Sequence, residues 1–223
     1  MPAIAQLVPR LFAIAVLAVA YVALTIAISA GLLVSLDHQV AQAMHGIWQE
    51  SLHGLFQAIA ELGGLELTSI LVIGIFIYLW RGGFGSDSLA VLAFAGAVTL
   101  EVLYKLLFFH PGPPRSILHS DGPSITDLLF GSGSVGNSFP SGHMVRAVIA
   151  YGLLAFVVRR LAGSAIVRAL AVPVVILIIV LLAFDRLYLD VHWESDVVGG
   201  LLLGAIGLLA GTVWLDRPRR TDN

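Results

Sequence analysis

Residues 185–196 read Asp-Arg-Leu-Tyr-Leu-Asp-Val-His-Trp-Glu-Ser-Asp and lie between two apolar runs, 166–183 and 197–214. Each run approaches the ~20 residues a helix needs to cross a hydrocarbon core. The polar segment between them therefore belongs at a membrane surface, where one helix ends and the next begins. A second polar stretch, Phe139-Pro140-Ser141-Gly142-His143, stands directly before the run that starts at Met144. A chain this apolar has few reasons to keep histidines, arginines and carboxylates at helix ends, so the two stretches are expected to meet in one site.

The composition supports that reading. The residues are 58% hydrophobic and 12% charged, whereas soluble domains are about half apolar and about a quarter charged. So little charge cannot cover that much apolar surface in water. A net charge of −2 without a long basic run leaves no footprint for nucleic acid, and the absence of cysteine excludes disulfide and thiolate chemistry.

Working outward, apolar runs occur at about 11–36, 65–80, 89–109, 144–158, 166–183 and 197–214. The first exceeds the ~7–15 apolar residues of a signal-peptide core and is read as a transmembrane helix. Residues 37–64 are mixed, and Leu52, Leu55, Phe56, Ile59 and Leu62 recur at the spacing of one short amphipathic helix at the interface. The expected fold is all-α: six transmembrane helices in one bundle with a short interfacial helix, the whole chain 1–223 forming a single membrane-embedded domain. Residues 110–139 are polar and rich in Pro, Gly and Ser, a long loop. The G-x-G-x-x-G match at 131–136 is accidental, because no strand precedes it. Gly200, Gly204, Gly207 and Gly211 are read as a stripe for close helix packing.

Sorting Lys and Arg gives the orientation. Arg10, Arg81, Arg159, Arg160, Arg168, Arg217, Arg219 and Arg220 fall on one side of the spans, while Lys105, Arg115, Arg146 and Arg186 fall on or near the other. By the positive-inside rule both termini are cytoplasmic. The four residues that break the bias flank the two polar stretches, a pattern that anion binding explains.

The chemistry follows from residue types. His143 sits behind Pro-Ser-Gly at a helix start, where free N–H groups and the helix dipole favour an anion. Ser141 adds a hydroxyl, and Gly142 lets an anion approach the backbone. His192 and Asp196, four apart, share a helical face. The carboxylate can hold one ring nitrogen as N–H and leave the other as a lone pair for attack or proton transfer. The same pair could ligate a metal, but Arg186 six residues earlier repels a cation and attracts phosphate.

Pro140-Ser141-Gly142-His143 followed by Arg186-x5-His192-x3-Asp196 resembles the type 2 phosphatidic acid phosphatase superfamily, membrane lipid phosphate phosphatases that share their site with vanadium haloperoxidases. The resemblance covers residues 101–200. It implies that His192 attacks phosphorus, Asp196 orients it, and His143 serves the leaving oxygen. Lys105, Ser141, Gly142 and Arg186 would then hold the phosphate, with no metal and no cofactor. Two departures stand out. Asp185 occupies the position where the family usually has Ser, and Gly112, before Pro113, occupies the place of the first motif's arginine. Arg146 and Arg115 are the candidates to replace that arginine. A buried Arg146 needs a partner, either the phosphate or a carboxylate such as Glu101 or Asp185, and Lys105 could pair with Glu101 at i, i+4. The implied substrate is a lipid phosphate at the outer face of the plasma membrane, an isoprenoid diphosphate such as undecaprenyl diphosphate first, then phosphatidic acid or phosphatidylglycerol phosphate. Two alternatives remain at this level: a phosphotransferase passing the phosphoryl group from the same histidine to an alcohol, and a silent lipid-phosphate binder.

Overall fold

A computed structural model of the chain describes residues 2–114 and 137–217. Those residues are helical, without a strand, and hold one isolated antiparallel bridge between Pro111 and Asn137. The helices are α1 (Pro2–Ser29), α2 (Val34–Ile47), α3 (Glu50–Ala60), α4 (Leu65–Arg81), α5 (Leu92–Leu107), α6 (Gly142–Leu161), α7 (Ala165–Tyr188) and α8 (Glu194–Leu215). Single 3-10 segments, Glu61–Gly63 and Gly85–Val91, lead into α4 and α5.

Among the described residues, five stretches are long and apolar enough to cross a membrane: Leu7–Ser29, Glu50–Arg81, Gly85–Leu107, Ala165–Tyr188 and Glu194–Leu215. The protein is a multi-pass membrane protein. The remaining expected span, 144–158, corresponds to α6, which carries His143, Arg146, Arg159 and Arg160 and so differs in composition from the other five. It occupies the middle of the bundle, packed on α4, α5, α7 and α8, with most of its residues buried. There an arginine is shielded from lipid by protein rather than excluded by it.

The glycine stripe forms the seam between α6 and α8. A Cβ at Gly204 would lie 2.8 Å from Val148 Cβ, and at Gly207 2.6 Å from Ile149 Cδ1. One at Gly200 would lie 2.5 Å from the Ser141 carbonyl oxygen and 2.7 Å from Met144 Cβ. Side chains at these positions would push the start of α6 away from α8.

Two expectations are corrected. The first helix ends at Ser29, not Leu36. Gly31 adopts φ +69°, its N–H donates to Ile28, and Leu32 N–H donates to Ala27. This is the left-handed glycine stop of a helix, hidden in the sequence because apolar residues continue past it. Residues 37–64 form two helices, α2 and α3, rather than one. The break is Trp48-Gln49 in extended conformation, and α2 is too polar to announce itself by periodicity. The α3 face containing Phe56 and Ala60 packs with Tyr188, Leu189 and Val191, covering the turn that joins α7 to α8.

Charge is segregated along the bundle. Arg10 pairs with Asp216 (2.7 Å), Arg160 with Asp216 (3.6 Å) and Arg217 with Asp87 (3.3 Å), all at one end. Lys105, Arg146 and Arg186 lie at the opposite helix ends.

Candidate active site

The three polar pieces of the sequence are sewn together at that opposite end. Asn137 Nδ2 donates to the Lys105 carbonyl (2.8 Å), and its Oδ1 accepts from the His110 N–H (2.9 Å). Ser138 N–H donates to the His110 carbonyl at 2.8 Å. Ser141 N–H donates to the Asp196 carbonyl (3.0 Å), tying the start of α6 to the first turn of α8. Trp193 Nε1 donates to the Pro111 carbonyl (2.9 Å). That first turn is held from outside the motifs by Asp37 of α2, which accepts from both the N–H and the hydroxyl of Ser195 at 2.9 Å each.

Within this frame His192 and Asp196 do meet, Nδ1 lying 3.4 Å from Oδ2, but not on one helical face as expected: His192 stands in the turn before Trp193, the N-cap of α8, and Asp196 reaches back to it from the first turn of the helix. The same Oδ2 accepts the Trp193 N–H at 2.9 Å. The contact places the Nδ1 proton against the carboxylate and leaves Nε2 as the ring's lone pair. Burial pushes the His192 imidazole below its ordinary value, Asp196 pulls it back up, and Lys105 and Arg186 lower it further. The balance is downward, toward the neutral ring.

The cations are buried beside it, and each has a carboxylate. Glu101 Oε1 accepts from Lys105 Nζ at 2.9 Å, and its Oε2 lies 3.2 Å from Arg146 Nη1. The expected i, i+4 pair and the expected carboxylate partner of Arg146 are therefore the same residue. Arg146 also donates from Nε to the Gly63 carbonyl (3.2 Å) and lies 3.5 Å from His143 Nδ1 through Nη2. Arg186, fully buried, donates from Nε and Nη2 to Asp185 Oδ2 at 2.8 and 2.5 Å. Asp185, standing where the family usually has Ser, thus orients the neighbouring guanidinium. Ser141 is fully buried, and its Oγ has no hydrogen-bond partner among the described residues. A buried hydroxyl left unmatched is costly unless a ligand completes it.

Gly142 also has a packing reason. A Cβ there would lie 1.9 Å from Glu101 Oε1 and 2.7 Å from Arg146 Nη1. On the side where a Cβ would stand, Gly142 is closed off by the Glu101 carboxylate. Gly63 plays a similar part on the other side, since a Cβ there would lie 3.0 Å from His143 Cβ. Arg115 lies outside the described residues, as does the glycine-rich match at 131–136. Sequence reasoning missed Gly63, Asp37, His110 and Asn137; only Asp37, a carboxylate beside an apolar run, carried a visible signal.

The profile of the PAP2 superfamily matches residues 87–220. The chain is 29% identical over 189 residues to phosphatidylglycerophosphatase B of Bacillus subtilis (strain 168), covering 83% of this chain and 86% of that one. It is 26% identical over 149 residues to YbjG of Escherichia coli (strain K12), a protein provisionally assigned as an undecaprenyl-diphosphatase, covering 66% and 67% of the two chains. The crystal structure of a transmembrane PAP2-type phosphatidylglycerolphosphate phosphatase from Bacillus subtilis superposes with a TM-score of 0.79 at 24% identity, covering 93% of this chain and 98% of that one, a likeness of fold. With more than half of its length matched by the family profile, the chain belongs to the PAP2 superfamily.

Proposed function

We propose that this protein removes a phosphate from a lipid phosphate or diphosphate through a phosphohistidine intermediate. The observation that carries the reading is the pairing of a neutral, carboxylate-held His192 with buried Lys105, Arg146 and Arg186 and the unmatched Ser141 hydroxyl. The site holds a nucleophile, a cationic cradle and an unfilled hydrogen-bond donor, which is what an in-line attack on phosphorus requires.

In this mechanism the Nε2 lone pair of His192 forms an N–P bond as the P–O bond breaks. The electron pair leaves on that oxygen, which takes a proton from His143. Asp196 offsets the positive charge on the phosphorylated ring. Water then attacks phosphorus, His143 accepts its proton, and phosphate departs as His192 is regenerated. Lys105, Ser141, the Gly142 N–H and Arg186 stabilise the non-bridging oxygens. Arg146, fixed by Glu101 and the Gly63 carbonyl, supplies the guanidinium that Gly112 lacks, with Arg115 the competing candidate.

The reading also treats the chain as one domain, counts α6 as a sixth crossing, and places both termini in the cytoplasm and the site at the outer face of the plasma membrane. The segregation of Arg10, Arg160 and Arg217 from Lys105, Arg146 and Arg186 supports that orientation. As substrate, phosphatidylglycerol phosphate joins an isoprenoid diphosphate at the head of the candidates, ahead of phosphatidic acid, because its relative aligns over more of the chain.

The test is a phosphate-release screen in detergent across these three lipids, with an alcohol acceptor added in a parallel arm. Wild type should release phosphate with or without EDTA, and His192→Ala should not. An active His192→Ala enzyme sinks the histidine mechanism, EDTA inhibition sinks its metal independence, and phosphoryl transfer to the alcohol in place of release makes the protein a transferase.

A further inference from the structure

The proposed mechanism uses one oxygen of Asp196, and the other faces a residue that it does not use. His110 Nε2 lies 3.3 Å from Asp196 Oδ1. His110 belongs to the segment between Lys105 and Pro113 in which Gly112 takes the place of the family arginine, so this piece of chain brings an imidazole to the carboxylate instead.

Its placement is built rather than incidental. The His110 N–H and carbonyl are both bonded to the Asn137-Ser138 segment. The next residue, Pro111, bridges to Asn137 and accepts the Trp193 indole N–H at 2.9 Å. The imidazole is wedged between the Phe108 and Phe139 rings, its centroid 6.3 Å from each, and 17% of the side chain is exposed. Asp196 is fully buried, and its Oδ1 and the facing His110 Nε2 both lack a hydrogen-bond partner among the described residues although they stand 3.3 Å apart, so each is the nearest group that can satisfy the other. Oδ2 receives the His192 ring and the Trp193 N–H; among the described residues Oδ1 has only the His110 ring within ion-pair reach.

We propose that His110 is a positioning residue for the Asp196–His192 pair: a small turn of its ring brings Nε2–H onto Oδ1, which stands 3.3 Å away, and the bond so formed holds the carboxylate plane that aims the His192 ring. The inference rests on the proposed attack by His192. His110 itself touches neither phosphate nor leaving group. Losing it would let the carboxylate rotate, and His192 would spend less time with Nε2 in line with phosphorus. Substrate binding by the separate cationic cradle would be preserved.

Two substitutions separate this role from packing. His110→Phe keeps an aromatic ring between Phe108 and Phe139 and removes the donor. His110→Gln keeps an N–H donor at similar reach and removes the ring. With the best cleaved of the three lipids as substrate, His110→Phe should lower kcat about tenfold with KM within about twofold, the scale of one hydrogen bond to a charged group. His110→Gln should recover most of that loss. The proposal is overturned if Phe supports wild-type kcat, if Gln is as impaired as Phe, or if the loss appears in KM. His192→Ala, assayed beside them, separates the layers. If it stays active, the histidine mechanism itself has failed; if it is dead while His110→Phe is unimpaired, only the role of His110 has.

Discussion

Gly142→Ala puts one methyl group where the site is most crowded. Gly142 is the first residue of α6, where alanine is favoured over glycine by at most about the 1 kcal/mol of a helix interior, so local propensity predicts a small gain. The surroundings reverse the sign. The new Cβ would start 1.9 Å from Glu101 Oε1, where ordinary contact begins at 3.4 Å, so the carboxylate must retreat by about 1.5 Å. A carboxylate is the free end of a flexible side chain and could normally move at little cost. Glu101 is fully buried, however, and holds Lys105 at 2.9 Å and Arg146 at 3.2 Å. A shift of that size breaks or lengthens both. Two hydrogen bonds between charged groups are together worth about 3–6 kcal/mol, which leaves a net loss of about 2–5 kcal/mol after the helix gain. For a chain of this length that is a fall in Tm of about 4–20 °C. The assay is thermal unfolding of the purified protein in detergent, with phosphate release measured in parallel. Because Glu101 is the obstacle, Gly142→Ala should cost little more once Glu101→Ala has been made, a non-additivity that marks direct contact. A Gly142→Ala protein that melts and turns over like wild type, or costs that simply add, would mean that Glu101 does not bar a side chain at this position.

Three further outcomes follow from the geometry. The acid limb of kcat/KM should lie below the ordinary histidine value of 6.5, because burial, Lys105 and Arg186 all favour neutral His192. Removing the positive charge with Lys105→Met should move that limb up, which a pH–rate series from about 4 to 9 will show; a downward move contradicts the assignment. Arg146→Ala should raise KM and lower kcat by about tenfold or more for loss of a charge-assisted contact, and near-normal kinetics would pass the role to Arg115. Asp37→Ala strips Ser195 of both its side-chain acceptors and should cost about 1–2 kcal/mol as a lost helix cap, read as a lower Tm, with Asp37→Asn in between.

The fold was legible wherever the bilayer imposes a length and a composition. Helices α4, α5, α7 and α8 lie close to the apolar runs that announced them, because a spanning helix cannot be short or charged. The misread boundaries are where that constraint lapses. A left-handed glycine at 31 ended α1 inside an apolar run, and α2 lies at the surface, where no apolar stripe is demanded of it. α6 is the instructive case. Its arginines set it apart from a lipid-facing helix by composition, and they are tolerated because the four helices around it replace the lipid.

The site was legible as a set of residues and much less so as a network. His143, His192, Asp196 and Arg186 could be found because motif spacing fixes which side chains share a helix end. What spacing does not report is how a buried charge is neutralised before substrate arrives. Lys105 and Arg146, 41 positions apart in the chain, converge on Glu101. Arg186 is held by its own neighbour Asp185, and His192 by Asp196. Every cation in the described cradle thus sits beside a carboxylate, as the low dielectric requires of a site that must survive empty. The consequence is chemical as well as structural. In the proposed mechanism, a phosphate entering this cradle would compete with Glu101 and Asp185 for the same N–H donors, so its binding would be weakened by the charges that keep the cradle folded. The donors that it need not share with an acid are the Ser141 hydroxyl and the backbone at the start of α6. On the proposed reading those are the groups that would favour the transition state, whose extra negative charge would appear on oxygens that no carboxylate has already matched.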